Sequence, residues 1–346
     1  MGIARKTALL LVVALLVSAL GVFALGCSSS STTTTAGGGT TTTAGTATTT
    51  GKNVTIGITQ IVSHPALDAT VKGFKAALAK QGFVAGKNVT YDDQNAQGDM
   101  ATAASIAQKF VSENVNLILS VATPTSQAAA KATQTIPIVF AAVTDPVAAG
   151  LVKDPKAPEG NITGVSDLLP LQPHLDLIKK LVPDVKTIGL LYNAGEANSV
   201  ALVKEEKTKA EAMGIKVVEA TAASSAEVQQ AAQSLVGRVD AMSVLTDNTV
   251  VSALESVVKV AKDNKIPLIA GDTDSVKRGA VAAYAFNYLD LGTQAGEMAA
   301  KILNGTPIKD IPVEYANKLT LSLNPTSAKA MGVTIPTELM TTAVTY

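Results

Sequence analysis

"IPLIAGDTDS", Ile266–Ser275, starts as an apolar strand and ends, after Gly271, in two carboxylates and two hydroxyls. "IPIVFAAVTDPVAAG", Ile136–Gly150, repeats the Ile-Pro start and the Thr-Asp, with Thr144-Asp145 and Thr273-Asp274 standing 129 positions apart. Other segments repeat at similar offsets, 132 and 123 positions. "VTIGI" from Val54 answers "KTIGL" from Lys186, and "SVATPTSQ" from Ser120 answers "SVLTDNTV" from Ser243. A period of ~130 residues is too long for a solenoid unit but suits two similar lobes, each large enough for its own core. Short apolar runs alternate with longer Ala-rich segments of helical period from Val54 onward, the pattern of a parallel sheet covered by helices. The fold class is therefore α/β, two Rossmann-like lobes with parallel sheets joined by a hinge.

That architecture explains the polar endings. Open parallel sheets bind ligands beyond the carboxyl ends of their strands. The polar loops all fall there: "QIVSHPALD", "ATPTSQ" and "AVTDPV" in the first lobe, then "YNAGEANS", "LTDNTV" and "GDTDSV" in the second. Thr123 or Thr125 stands where a helix N-cap belongs, with Ser126 adding a hydroxyl, and Asp247 or Asn248 is placed similarly. A helix N-terminus suits a carboxylate. Asp68, Asp145, Glu196, Asp247, Asp272 and Asp274 supply acids, and a carboxylate shut away from water needs a cationic partner. A zwitterionic amino acid satisfies both. Glu196, a long acid among small residues, is the first candidate to hold the ammonium. The candidate contacts are His64, Asp68, Ala122, Thr123, Thr125, Ser126, Gln127, Thr144 and Asp145 in the first lobe. In the second they are Asn193, Glu196, Ala197, Asn198, Thr246, Asp247, Asn248, Asp272 and Thr273. Tyr192, Phe140, Tyr284 and Phe286 are offered to the core or to an apolar ligand side chain, and His174 to a helix surface.

Composition narrows the partners. The 346 residues balance to zero net charge, which gives no reason to expect nucleic acid. One Cys and two His exclude a disulfide framework and a His- or Cys-rich metal site, and no metal or cofactor is expected. No nucleophile elbow, phosphate loop, zinc-protease or dinucleotide motif is present, so binding is favoured over catalysis.

The N-terminus addresses location. Arg5 and Lys6 precede an uncharged apolar run that ends at Cys27. This reads as an export signal, with a retained membrane helix as the alternative. "ALGC", Ala24–Cys27, resembles a bacterial lipobox, so Cys27 is the expected lipidation site. The Ser/Thr/Gly-rich segment that follows is a flexible tether spanning roughly 25–30 Å. Expected boundaries are 1–26 signal peptide, 27–51 lipidated Cys and tether, 52–165 plus about 290–322 first lobe, and 166–289 plus about 323–346 second lobe. Chain crossings are expected near Asn161–Gln172, Phe286–Gly292 and Leu321–Pro325, and the helix in "NYLDLGTQAGEMAAKILNG" is expected on the first lobe.

"GKNVTYDDQNAQGDMATAASIAQKFV", "AAVTDPVAAGLV", "NITGVSD", "YNAGEANS", "LTDNTVVSALESVV" and "IAGDTDSVKRGAVA" together resemble the ABC-transporter substrate-binding proteins of the tryptophan/tyrosine type. The resemblance covers nearly all of Val54–Pro336. It implies a type I periplasmic-binding-protein fold closing by hinge motion on an amino acid, aromatic or large and apolar, and a monomer serving a permease and an ATPase from the outer face of the membrane. Where members often read "NSSEANS", this chain has Asn193-Ala194-Gly195-Glu196, which removes a hydroxyl and leaves more room. A sensing partner of a membrane receptor, or a binder of a sugar or nucleoside, is the alternative.

Overall fold

The computed structural model describes residues 53–316 and 318–346. The expected signal peptide, Cys27 and tether lie outside the described residues. The chain begins with β1 (Val54–Gln60), α1 (Pro65–Lys80), β2 (Val89–Asn95), α2 (Met100–Ser112), β3 (Leu117–Val121), α3 (Thr123–Ala132), β4 (Ile138–Val143) and β5 (Ile162–Ser166). It continues with α4 (Leu171–Leu181), β6 (Thr187–Tyr192), α5 (Ala197–Ala212), β7 (Lys216–Thr221), α6 (Val228–Gln233), β8 (Ala241–Val244), α7 (Asn248–Ser252), α8 (Leu254–Asp263), β9 (Leu268–Ala270), α9 (Thr273–Lys277) and β10 (Ala282–Phe286). The last elements are α10 (Tyr288–Leu303), β11 (Glu314–Tyr315), β12 (Leu319–Leu323), α11 (Pro325–Ala330), α12 (Thr337–Met340) and β13 (Val344–Thr345).

Two sheets result, ordered β11-β5-β4-β3-β1-β2 and β13-β12-β10-β9-β8-β6-β7. The first five strands of each lobe have the same order, which is the repeat read from the Ile-Pro segments. All pairings are parallel except β10 with β12. Central strands β3, "LILSV", and β4, "IVFAAV", are buried at every position, as strands covered on both faces must be. Edge strand β2, "VTYDDQN", is mostly polar and half-exposed.

The chain passes between lobes at Ser166–Leu171, Phe286–Tyr288 and Tyr315–Leu319. The third crossing corrects the expectation of Leu321–Pro325. β12 pairs with β10 along its whole length, so Leu319–Ser322 belong to the second sheet. The reason is local: Leu321 and Leu323 extend the apolar edge that β10 leaves open. The segment from Asn248 to Asp263 forms two helices, α7 and α8, interrupted at Ala253.

Helix α10 follows a strand of the second lobe yet lies on α1 of the first. Three glycines allow this. A Cβ on Gly73 would stand 2.2 Å from Leu289 O, on Gly292 2.0 Å from Thr70 O, and on Gly296 2.6 Å from Phe74 O. The helices meet backbone to backbone, and their N-termini arrive side by side. Gly292→Ala should therefore cost about 1–3 kcal/mol of stability or displace α10, as overpacking of a filled contact does; urea unfolding measures it.

His174 overturns a second expectation, since it is fully buried rather than on a helix surface. The apolar stripe Leu171, Leu175, Ile178 and Leu181 carries it inward. Its Nε2 lies 2.9 Å from Ser243 Oγ and 3.5 Å from a carboxylate oxygen of the fully buried Glu206. Burial pushes Glu206 up to about 8 and His174 down to about 4. A raised acid adds stability below its ordinary value of 4.5 and loses it as pH rises through 8; a lowered histidine adds stability above 6.5 and loses it as pH falls through 4. The two slopes oppose each other between 4.5 and 6.5, and of this pair only Glu206 acts from 6.5 to 8. The melting temperature should fall over that upper window, and Glu206→Gln should flatten the part of the fall above about 7, as thermal denaturation at stepped pH will register.

Candidate functional site

The carboxyl ends of both sheets face a narrow gap lined by residues of both lobes. Helix N-termini and strand ends build its walls. From the first lobe come His64, Ala66 and Leu67 at the start of α1, Ala142 and Thr144 at the end of β4, and Tyr288 opening α10. Asp167 enters from the first crossing. The second lobe supplies Asn198, Thr246, Asp247, Asn248, Val251 and Asp272. Thr144 Oγ1 and Thr246 Oγ1 stand 3.5 Å apart across the lobes. Just before Thr144 the ladder shifts between Ala141 and Val143, with Ala142 at φ 56°. A non-glycine residue held there is strained, a feature that concentrates at ligand sites. A wider mouth opens beside the gap, between Ile61, Gln97 and Pro124 on one side and Asn193, Glu196 and Thr249 on the other. A larger depression between α4, β12 and α12, lined by Leu177, Tyr284 and Leu339, lies away from these loops.

Three buried carboxylates border the gap, and they differ in how fully they are occupied. Asp247 accepts from Val250 N at 2.7 Å, Asn193 N at 2.6 Å and Ser199 Oγ at 2.6 Å. It is the N-cap of α7, as its position predicted. Burial first, then the nearby Glu196 charge, push it up to about 7. Asp272 caps α9 through Ser275 N at 2.7 Å and also takes the Ser275 hydroxyl. Asp167 accepts only from Thr144 Oγ1 at 3.2 Å and Tyr288 Oη at 2.7 Å, which leaves acceptor capacity on both oxygens. Burial raises both Asp167 and Asp272, and burial with the Asp167 charge holds the Tyr288 hydroxyl well above its ordinary range. Two further acceptors, His64 Nδ1 and Asn198 Oδ1, are buried without any hydrogen-bond partner. Among the described residues no Lys or Arg lines the gap.

Of the residues expected from sequence, the gap gathers His64, Thr144, Asn198, Thr246, Asp247, Asn248 and Asp272. Glu196 stands apart. Its two oxygens take Asn248 N and Nδ2, Thr249 N at 3.0 Å, Thr249 Oγ1 at 2.8 Å and Asn198 Nδ2 at 3.2 Å. Five donors saturate it, so it organises the start of α7 and leaves no lone pair for an ammonium. Asn193 lies with it at the wider mouth.

Several other expected contacts face elsewhere. Asp68 is exposed and holds Gln60 and Ser63. Asp145 closes its own turn onto Val147 N and Ala148 N. Thr125 donates to Val121 O, and Ser126 to Ala122 O, so neither caps α3; Ala122 itself holds the cap position at φ 78°. Gln127 reaches Ala149 O, Thr273 reaches Phe286 O, and Ala197 is exposed. Thr123 is buried with its hydroxyl unpartnered, outside the gap. Sequence reasoning missed Asp167 and Tyr288. Both follow strands whose carboxyl ends serve as crossings, β5 and β10, and extending the strand-end rule to "NITGVSD" and "AFNY" finds them.

The ABC transporter substrate binding protein family matches residues 55–346. The chain belongs to this family. A Clostridioides difficile relative named Tyrosine-binding protein is 46% identical over 280 residues, 81% of each chain. The L-Trp complex of an ABC domain from Streptococcus pneumonia is 37% identical, with TM-score 0.82 over 85% of this chain and 99% of that one. The ligand-free, open structure of a substrate-binding protein with adhesive properties from Clostridium difficile is 46% identical over the same shares, yet scores 0.65. The less similar sequence superposes better. This substrate-binding protein thus superposes more closely on the ligand-bound relative than on the open one, with the type I periplasmic-binding fold that the strand order already displays. Because Glu196 is saturated, Glu196→Ala should cost about 2–3 kcal/mol of stability by stranding buried donors, measured by urea unfolding with no ligand present.

Proposed function

We propose that this substrate-binding protein captures a free amino acid, aromatic or large and apolar, between its lobes and hands it to the permease and ATPase of an ABC importer. One observation carries the reading. Among the described residues the gap is lined by buried acceptors in excess of donors with no basic side chain on its wall, Arg278 behind it being held by Glu255, and an ammonium group supplies both the missing protons and the missing charge. Asp167, with capacity on both oxygens, is its seat, and Asn198 Oδ1 is a second acceptor. The unpaired N–H groups opening α1, at Ala66 and Leu67, suit the carboxylate. Leu67, Ala142 and Val251 offer apolar contact to the side chain. The names of the Clostridioides and Streptococcus relatives support an aromatic ligand. Binding proceeds without chemical conversion: the ligand shifts the open–closed equilibrium by touching both lobes at once.

The same reading places the protein on the outer face of the cytoplasmic membrane as a monomer, lipidated at Cys27 and held by the 27–51 tether, with the signal removed. None of the helices among the described residues is long and apolar enough to cross a membrane. Thermal-shift screening of the full chain against amino acids, sugars and nucleosides tests the ligand class, because a tight ligand raises the melting temperature by mass action. Aromatic amino acids should shift it; a shift with a sugar or nucleoside alone would overturn the reading. Asp167→Asn should weaken amino-acid binding by about 1.5–3 kcal/mol, as removal of a charged hydrogen-bond partner does. Since only ionised Asp167 pairs with an ammonium and burial raises it, wild-type affinity should decline as pH is lowered through that raised value, and the variant should lack the decline in calorimetry.

A further inference from the structure

His64 is more than a wall of the gap. It is the N-cap of α1 but makes no capping hydrogen bond, and it is 8% exposed. Its Nδ1 has no partner, although that atom is shut away from water. A neutral imidazole has one protonated nitrogen and one bare lone pair, and Nδ1 is the ring nitrogen that the protein leaves without a partner.

From this geometry we infer that His64 Nδ1 is a specificity-determining acceptor for a neutral N–H or O–H donor on the side chain of the bound amino acid. The inference rests on the amino-acid reading above. Four observations favour a ring donor over the ammonium. Asp167 already offers the ammonium a charged seat. Arg278, locked by two 2.7 Å bonds to Glu255 and one to Val251 O, bears on His64 and repels a second cation there. Burial, with Arg278 second, pushes the imidazole down to about 4, so the ring is neutral and able to accept at ordinary pH. Apolar Ala66, Leu67 and Val251 share the gap with it, as a ring carrying a single polar atom requires. A phenol hydroxyl or an indole N–H meets all these conditions.

Calorimetry on the full chain decides it with two ligand pairs, tyrosine against phenylalanine and tryptophan against 1-methyltryptophan, in which one member lacks the donor. The donor-bearing member of at least one pair should bind wild type about tenfold tighter or more, because a buried acceptor left unpaired is costly. His64→Leu should shrink that gap to about twofold while the donor-free member still binds, and His64→Gln, which keeps an acceptor, should restore part of it. A gap unchanged in His64→Leu, or absent from both pairs in wild type, overturns the role of His64. Failure of wild type to bind any amino acid overturns the ligand reading instead. With two histidines in the chain, ¹⁵N-histidine spectra give a readout that needs no variant: the bare Nδ1 signal of His64 should move with the donor-bearing ligand and not with its partner, and equal movement with both overturns the inference.

Discussion

The backbone contact between α1 and α10 is the constraint on which the architecture turns. By sequence α10 follows directly on β10 of the second sheet, and chain economy alone would lay it on its own lobe. Gly73, Gly292 and Gly296 let it lie against α1 at a distance that no side chain would permit. Dispersion between closely approached backbones accumulates over many atom pairs. Two of the three crossings exist because α10 leaves and β12 returns. The same contact sets two helix N-termini together at the gap, and so brings His64 and Tyr288 within one wall.

Polar groups in the gap form two classes. Asp247, Asp272 and Glu196 spend their lone pairs on helix starts and loop amides, which holds the second lobe's loops rigid. Asp167, Asn198 and His64 keep acceptors that nothing in the protein satisfies. Leaving a buried acceptor without a donor is costly, and at the gap a ligand can remove that cost. An unpartnered atom alone marks no site, since Glu206 keeps both carboxylate oxygens without a hydrogen-bond partner in the core of the second lobe; their place beside the gap is what sets Asp167, Asn198 and His64 apart.

The fold was legible because its signals are local and repeated. Ile136–Gly150 and Ile266–Ser275 announce a strand, its polar end and its twin, and the twin implies the second lobe. β12 was harder to place, because its partner β10 is separated from it by a whole helix on the other lobe. At the candidate site, the strand-end rule found loops that reach the gap but not which of their atoms face it. Asp145 and Asp247 look alike in sequence, each following a threonine at a strand end, yet one closes a turn in the open and the other lies buried beside the gap. Glu196 looked available because it is long and surrounded by small residues. Those same small residues let loop amides crowd around it, and their donors cannot be counted without three dimensions. His174 was misjudged for a simpler reason: polarity outweighed its place on the helical stripe.

Three strands of chain join the lobes within a few residues of one another, at Ser166–Leu171, Phe286–Tyr288 and Tyr315–Leu319. The Tyr288–Asp167 bond ties the first to the second. A single linker would let two bodies twist, slide and swing. Three side by side suppress twisting and sliding and leave one rotation, as several pins on a door leave one axis. Closure then surrenders little orientational freedom, so less of the contact energy with a ligand is consumed in ordering the protein. What passes for a repeated crossing in the chain's path is, in thermodynamic terms, pre-payment of the entropy of capture.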